Sequence, residues 1–286
     1  MMVRGGVGLI VFAVFCVCAL SAQVTAVDAT ALLRSATQNR LDGLAHHQPQ
    51  RYLLRRIDGS YSTTKDVIET RGGEVERLIA INGRPLTAEQ DQAELSRLTS
   101  LLKHPELQEE RRTSEQKNRA REVRMTRLLP RALLYEFVEM TPCFGGECYR
   151  VSFSPNPRFK PPNMEANVFR GLAGEAWIDQ AQGRLTRVDA RLVSNVGFGW
   201  GIFGKLDKGG TLSMEETQVG EHEWAMTWLK IEMKGRAMIL KHLTFQFTEE
   251  MSQFSQVSAD LGWREAIGIL EQTVPPDAKP DLQSGP

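Results

Sequence analysis

The chain has no excess of either charge, little histidine and few cysteines. Its 35 lysines and arginines balance 35 aspartates and glutamates, so no bulk field draws it toward nucleic acid or a membrane surface. The five histidines are scattered: His46 and His47 are adjacent and so point apart, while His104, His222 and His242 are isolated. None has the spacing of a zinc ligand set. A Gly-x-Ser-x-Gly nucleophile elbow is absent, and acidic neighbours such as Glu215 and Glu216 read as solvated. No catalytic residue, metal ligand or cofactor is assigned, and the chain is expected not to be an enzyme. Beyond the N-terminus there is no internal repeat, no low-complexity tract and no second long apolar run, so no transmembrane anchor is expected.

What the N-terminus does hold is an early cation, Arg4, an uncharged run over residues 7–20 (VGLIVFAVFCVCAL), and small residues at Ser21, Ala22, Thr25 and Ala26. That order is a signal peptide. The run is shorter than the roughly 20 residues a membrane-spanning helix needs. Cleavage falls near Ser21 to Ala26, and the protein is expected to be exported. Neither Cys16 nor Cys18 follows a small residue, which argues against lipidation. Removing Arg4 leaves 35 − 1 = 34 cations against 35 acids. Residues 27–274 read as a single domain, and the proline-rich segment 275–286 as a disordered tail.

Only Cys143 and Cys148 survive cleavage. They flank Phe144-Gly145-Gly146-Glu147 between two strand-like runs, and Gly-Gly is a two-residue hairpin signal. With Gly145-Gly146 as the turn, the cysteines sit directly opposite at a non-hydrogen-bonded pair, where Cα atoms lie about 4.5 Å apart. An exported chain meets an oxidising compartment, so a disulfide is expected.

Helical spacing over residues 29–44, with Asp28 as N-cap, predicts a first helix. Strands at 52–57, 62–69 and 75–81, separated by Asp58-Gly59 and Gly72-Gly73, predict a meander. Thr87 and Gln90 form a capping box that opens a helical insert over residues 87–129, interrupted at Pro105. Lys117, Arg121, Arg124 and Arg127 make a cationic stripe on its second helix, either a contact for anionic headgroups or an acidic partner, or a solvated face. Four prolines make residues 154–163 a loop. Further strands follow at 174–179, 184–193, 211–218, 222–233 and 236–248, with Lys234-Gly235 read as a turn, and then a short helix at 263–270.

The last two strands are apolar on both faces. Trp224, Met226 and Trp228 point one way, and Leu229, Ile231 and Met233 the other. Ile239, Leu243, Phe245 and Phe247 share a face of the next strand. Such strands are covered on both sides, or one side lines an apolar cavity. Residues 196–205 (VGFGWGIFGK) spell both a dinucleotide fingerprint and a truncated phosphate loop, but Leu206 stands where the latter needs Ser or Thr, and no helix follows. The segment instead alternates large residues, among them Phe198 and Trp200, with bare glycine backbone. It serves either for close packing or as a flap whose aromatics reach a ligand or partner.

Residues 75–86 (VERLIAINGRPL), followed by a capped helix, and residues 174–188 (GEAWIDQAQGRLTRV) resemble the bacterial envelope half-barrel superfamily that includes the lipoprotein carriers LolA and LolB and the regulator RseB. The resemblance covers roughly residues 30 to 255 in order of elements. It implies an α+β fold, a curved antiparallel sheet wrapped around helices, with the insert as a departure. On that basis all helices are expected on one side of the sheet. It also implies a periplasmic protein that binds a lipid or lipoprotein acyl chain, with Trp224, Met226, Trp228, Ile239, Phe245, Phe198 and Trp200 as candidate ligand contacts. A non-catalytic envelope module with a protein partner is the alternative, and an exported hydrolase the second alternative.

Overall fold

The computed structural model describes residues 27–143, 145–198, 204–221, 223–237 and 241–273. The leader (1–26), the tail, Trp200, Ile239 and His222 lie outside the described residues, and of Phe198 only the backbone is described.

Helix α1 (Ala29–His46) begins where Asp28 accepts a hydrogen bond from the Ala31 N–H at 3.0 Å, the expected cap. Strands β1 (Gln50–Asp58), β2 (Tyr61–Ile68) and β3 (Val75–Ile81) form the meander, and β4 (Arg84–Pro85) adds a short edge. Helix α2 (Ala88–Leu101) opens on the capping box, with the Gln90 N–H bonded to Thr87 and the Thr87 N–H bonded to Gln90. Helix α3 (Pro105–Ala132) starts at Pro105, in the first turn, where the missing N–H costs no bond. Strands β5 (Leu133–Cys143) and β6 (Gly146–Pro155), a 3₁₀ turn (Glu165–Arg170), and strands β7 (Leu172–Asp179), β8 (Leu185–Leu192), β9 (Val196–Phe198), β10 (Gly204–Leu206), β11 (Thr211–Gln218), β12 (Trp224–Ala237) and β13 (Lys241–Gln256) follow, closed by α4 (Trp263–Glu271).

Among the described residues thirteen strands make one open antiparallel sheet in the order β4-β3-β2-β1-β13-β12-β11-β8-β7-β6-β5, with β10 on the end of β12 and β9 on β10. The α+β class and the open antiparallel sheet agree with the sequence. The Lys234-Gly235 turn does not form. β12 runs through it because Gly235 lets the β10 backbone approach: a Cβ there would stand 2.3 Å from the Lys205 carbonyl oxygen.

Three apolar clusters hold helices to the sheet. Leu33 and Ala36 of α1 pack on Val151 and Ile178. Leu128 and Ala132 of α3 pack with Phe153, Phe169, Ala176 and Ala190. Leu98 of α2 and Ala266, Ile267 and Leu270 of α4 pack on Ile68 and Val75. Cross-strand partners share a face, so the face under α3 at Val188 continues through Met214, Leu229, Glu249 and Arg56 to Thr63. Ile68, five residues further along β2, falls on the other face. The helices therefore do not share one side: α4 covers the opposite face, because β2 and β3 bury apolar residues there. α2 guards the β3 edge, where Glu94 accepts the Leu78 N–H at 2.8 Å and Arg97 donates to the Glu76 carbonyl at 2.6 Å.

Candidate functional site

The middle of the sheet, β12 and β13, lies between the two helix groups, whose packing falls on β2, β3, β5, β7 and β8. On the α1 side of these strands stand Leu229, Ile231 and Met233, paired with Glu249, Phe247 and Phe245, and next to them Met214 and Leu212 of β11. None reaches the buried core, and Phe245 is 42% exposed. The opposite face alternates to Lys230, Glu232, Lys234, Thr244, Gln246 and Thr248. One face is thus apolar and half open, the other polar. This is the alternation a sheet with one wet face shows, except that the apolar side lacks a full cover.

A bulge redistributes the expected aromatic triad. Glu215 pairs with Trp228 and Glu216 with Met226, leaving Thr227 as an extra residue on β12. Consecutive Glu215 and Glu216 point to opposite faces. Trp228 therefore leaves the face of Trp224 and Met226 and joins Glu215 and Arg187, whose guanidinium lies 3.7 Å from Glu215 and 5.0 Å from the Trp177 ring centroid. Trp224 and Met226 join Leu229, Ile231 and Met233 instead. All three of the triad are half-buried and none is core. Trp224 donates its ring N–H to Gln182 at 3.3 Å, and Gln182 donates in turn to Gln218 at 3.1 Å. Phe245 also lines a shallow cavity of about 320 Å³ with Met233, Gly210 and the turn at Asp207.

Charged groups border the apolar face on the α1 side. Arg40 of α1 bridges Glu216, 9% exposed, and Glu122 of α3 at 2.7 Å. On the same helix side of the sheet, Arg56 stacks 3.9 Å over the Phe247 ring while bonding Glu249 at 2.7 Å. At the β11–β12 turn, His47 is held by Glu223 at 2.5 Å and Glu69 at 2.7 Å. The hydrogen bond to Glu69 raises the imidazole pKa above its ordinary value, with Glu223 adding to it against the opposing effect of burial. Sequence reading missed this cluster because its three members are distant in the chain. It missed the Met214 contribution because β11 alone shows little apolar alternation.

The Cys143–Cys148 disulfide is present, with Cα atoms 5.8 Å apart. Its register differs from expectation: Cys143 stands opposite Gly146, and Cys148 opposite Thr141. Gly145, with φ of +92°, supplies the second turn position, so Gly146 begins β6 and the disulfide runs diagonally. Asp179 lies within 4.8 Å of both sulfurs, but in a disulfide neither is a thiolate able to bind a metal. Among the described residues no helix is long and apolar enough to cross a membrane.

No protein-family model and no curated protein matches the chain. Among solved structures it is similar to a LolA superfamily protein from Nitrosomonas europaea (10% identity, 82% of this chain and 95% of that one, TM-score 0.31). It is similar also to a Vibrio parahaemolyticus domain ascribed to outer membrane lipoprotein sorting (8% identity, 84% and 100%, TM-score 0.32). A third is the MucA/MucB complex of Pseudomonas aeruginosa (9% identity, 82% and 100%, TM-score 0.23).

Proposed function

We propose that this protein is a non-catalytic periplasmic binder or carrier of an apolar ligand, a lipid or the acyl chain of a lipoprotein. The observation that supports the reading is the apolar face formed by Leu229, Ile231, Met233, Phe245 and Phe247, half exposed between the two helix groups. An acyl chain laid on it removes from water surface that the helices leave bare, at roughly 25 cal/mol per Å². Trp224 and Met226 extend that face toward the β11–β12 turn.

Titration with a fluorescent fatty acid tests it. Phe245→Asp, on the apolar face, should weaken binding about 10-fold or more, since an apolar side chain buried by ligand is worth about 1.5–3 kcal/mol. Gln246→Asp, on the polar face of the same strand, should leave affinity unchanged. No binding by the native protein, or equal losses in both variants, sinks the reading.

A further inference from the structure

The second half of α3 is a concentrated, only partly compensated cationic surface. Between residues 117 and 131 the only acid is Glu122, and it is engaged by Arg40. Lys117, Arg121, Arg124, Arg127 and Arg131 recur at helical spacing and are all exposed. Arg121 and Arg124, 58% and 54% exposed, share one carboxylate, that of Glu165, at 3.3 and 3.8 Å. Lys117, Arg127 and Arg131 have no carboxylate partner among the described residues. Arg51–Asp66 and Arg77–Asp91, by contrast, are close one-to-one pairs. Like charges three and four residues apart cost a helix a few tenths of a kcal/mol per pair, a cost that the single carboxylate of Glu165 offsets only in part.

A second observation decides between partners. Met164, directly before Glu165, is 52% exposed, so a large apolar side chain stands beside the cations. An acidic polypeptide without apolar side chains gains from the cations alone. A bilayer offers phosphates to the cations and the headgroup–acyl boundary to the methionine. We infer that this face of α3, with Met164, docks the protein onto an anionic phospholipid surface. The inference is independent of the apolar-ligand reading, since it uses exposed side chains of α3 and none of the strand residues named for the ligand.

Co-sedimentation with phosphatidylglycerol/phosphatidylcholine vesicles tests it. The native protein should pellet with them, should not pellet with phosphatidylcholine alone, and should be released by raised salt. Arg121→Gln with Arg124→Gln and Arg127→Gln should lower partitioning on the order of 100-fold, and Arg127→Gln alone about 5-fold. Met164→Ser should reduce it severalfold with the salt dependence retained. Thermal melts of each variant check that folding is intact. Equal pelleting with neutral vesicles, no pelleting at all, or undiminished partitioning of the folded triple variant overturns the inference. So does competition by soluble polyglutamate together with an inert Met164→Ser, which marks an acidic polypeptide as the partner.

Discussion

At the scale of single residues, two groups tie stability to pH in the same direction. His47 joins the α1–β1 linker to the end of β2 through Glu69 and to the β11–β12 turn through Glu223; both carboxylates also accept backbone N–H groups, from Gln50 and Gln48. Its raised pKa means the folded state binds the proton more tightly than the unfolded one. That stabilisation is complete below about 6.5 and is lost as pH rises through the folded value. Glu74 is pushed up to about 7, by burial first and then by Glu115 and Glu69. The folded state again holds the proton, so stability falls between the unfolded carboxylate value and about 7. Urea midpoints should therefore decline from pH 5 to pH 9. His47→Gln should flatten the upper part of that decline, and Glu74→Gln the lower part. A decline unchanged in both variants contradicts the assignment.

Among elements, the β5–β6 hairpin shows what a local constraint contributes. The disulfide closes a loop with a sequence separation of 5, for which chain entropy allows about 2 kcal/mol or less. Substituting both cysteines by serine should lower the melting temperature by a few degrees and leave fatty-acid affinity unchanged, because the hairpin lies at the far end of the sheet from β12 and β13. Loss of binding in a folded variant would show that the pair is functional. Turn chemistry was legible here: Gly-Gly between two cysteines announced both hairpin and disulfide. Register was not, because either glycine could take the positive φ, and only packing of Cys148 against Thr186 at 3.5 Å and burial of its side chain select the diagonal arrangement.

For the whole molecule, the decisive feature is the division of the sheet between α1 and α3 at one end and α2 and α4 at the other, which leaves β12 and β13 between them. A ligand that binds this surface only in the folded state must stabilise the fold. At 100 times its dissociation constant it should add about 2.7 kcal/mol, visible as a rise in melting temperature that Phe245→Asp cuts by about half or more at the same ligand concentration. No rise for the native protein means that the apolar face has some other use.

Local chemistry was enough to place the Asp28 and Thr87 caps, the break at Pro105, the meander from Tyr52 to Ile81 and the disulfide, because each depends on neighbours within a few residues. Which face a side chain occupies was decided only by the tertiary structure. The bulge at Thr227 separates Trp228 from Trp224 and Met226, although all three alternate evenly in sequence, since one extra residue reverses the pleat. Gly235 reads as a turn until β10 is seen passing over it. His47 gains its carboxylates from residues 22 and 176 positions away, a proximity that no spacing rule carries and that arises from the order in which the strands pair.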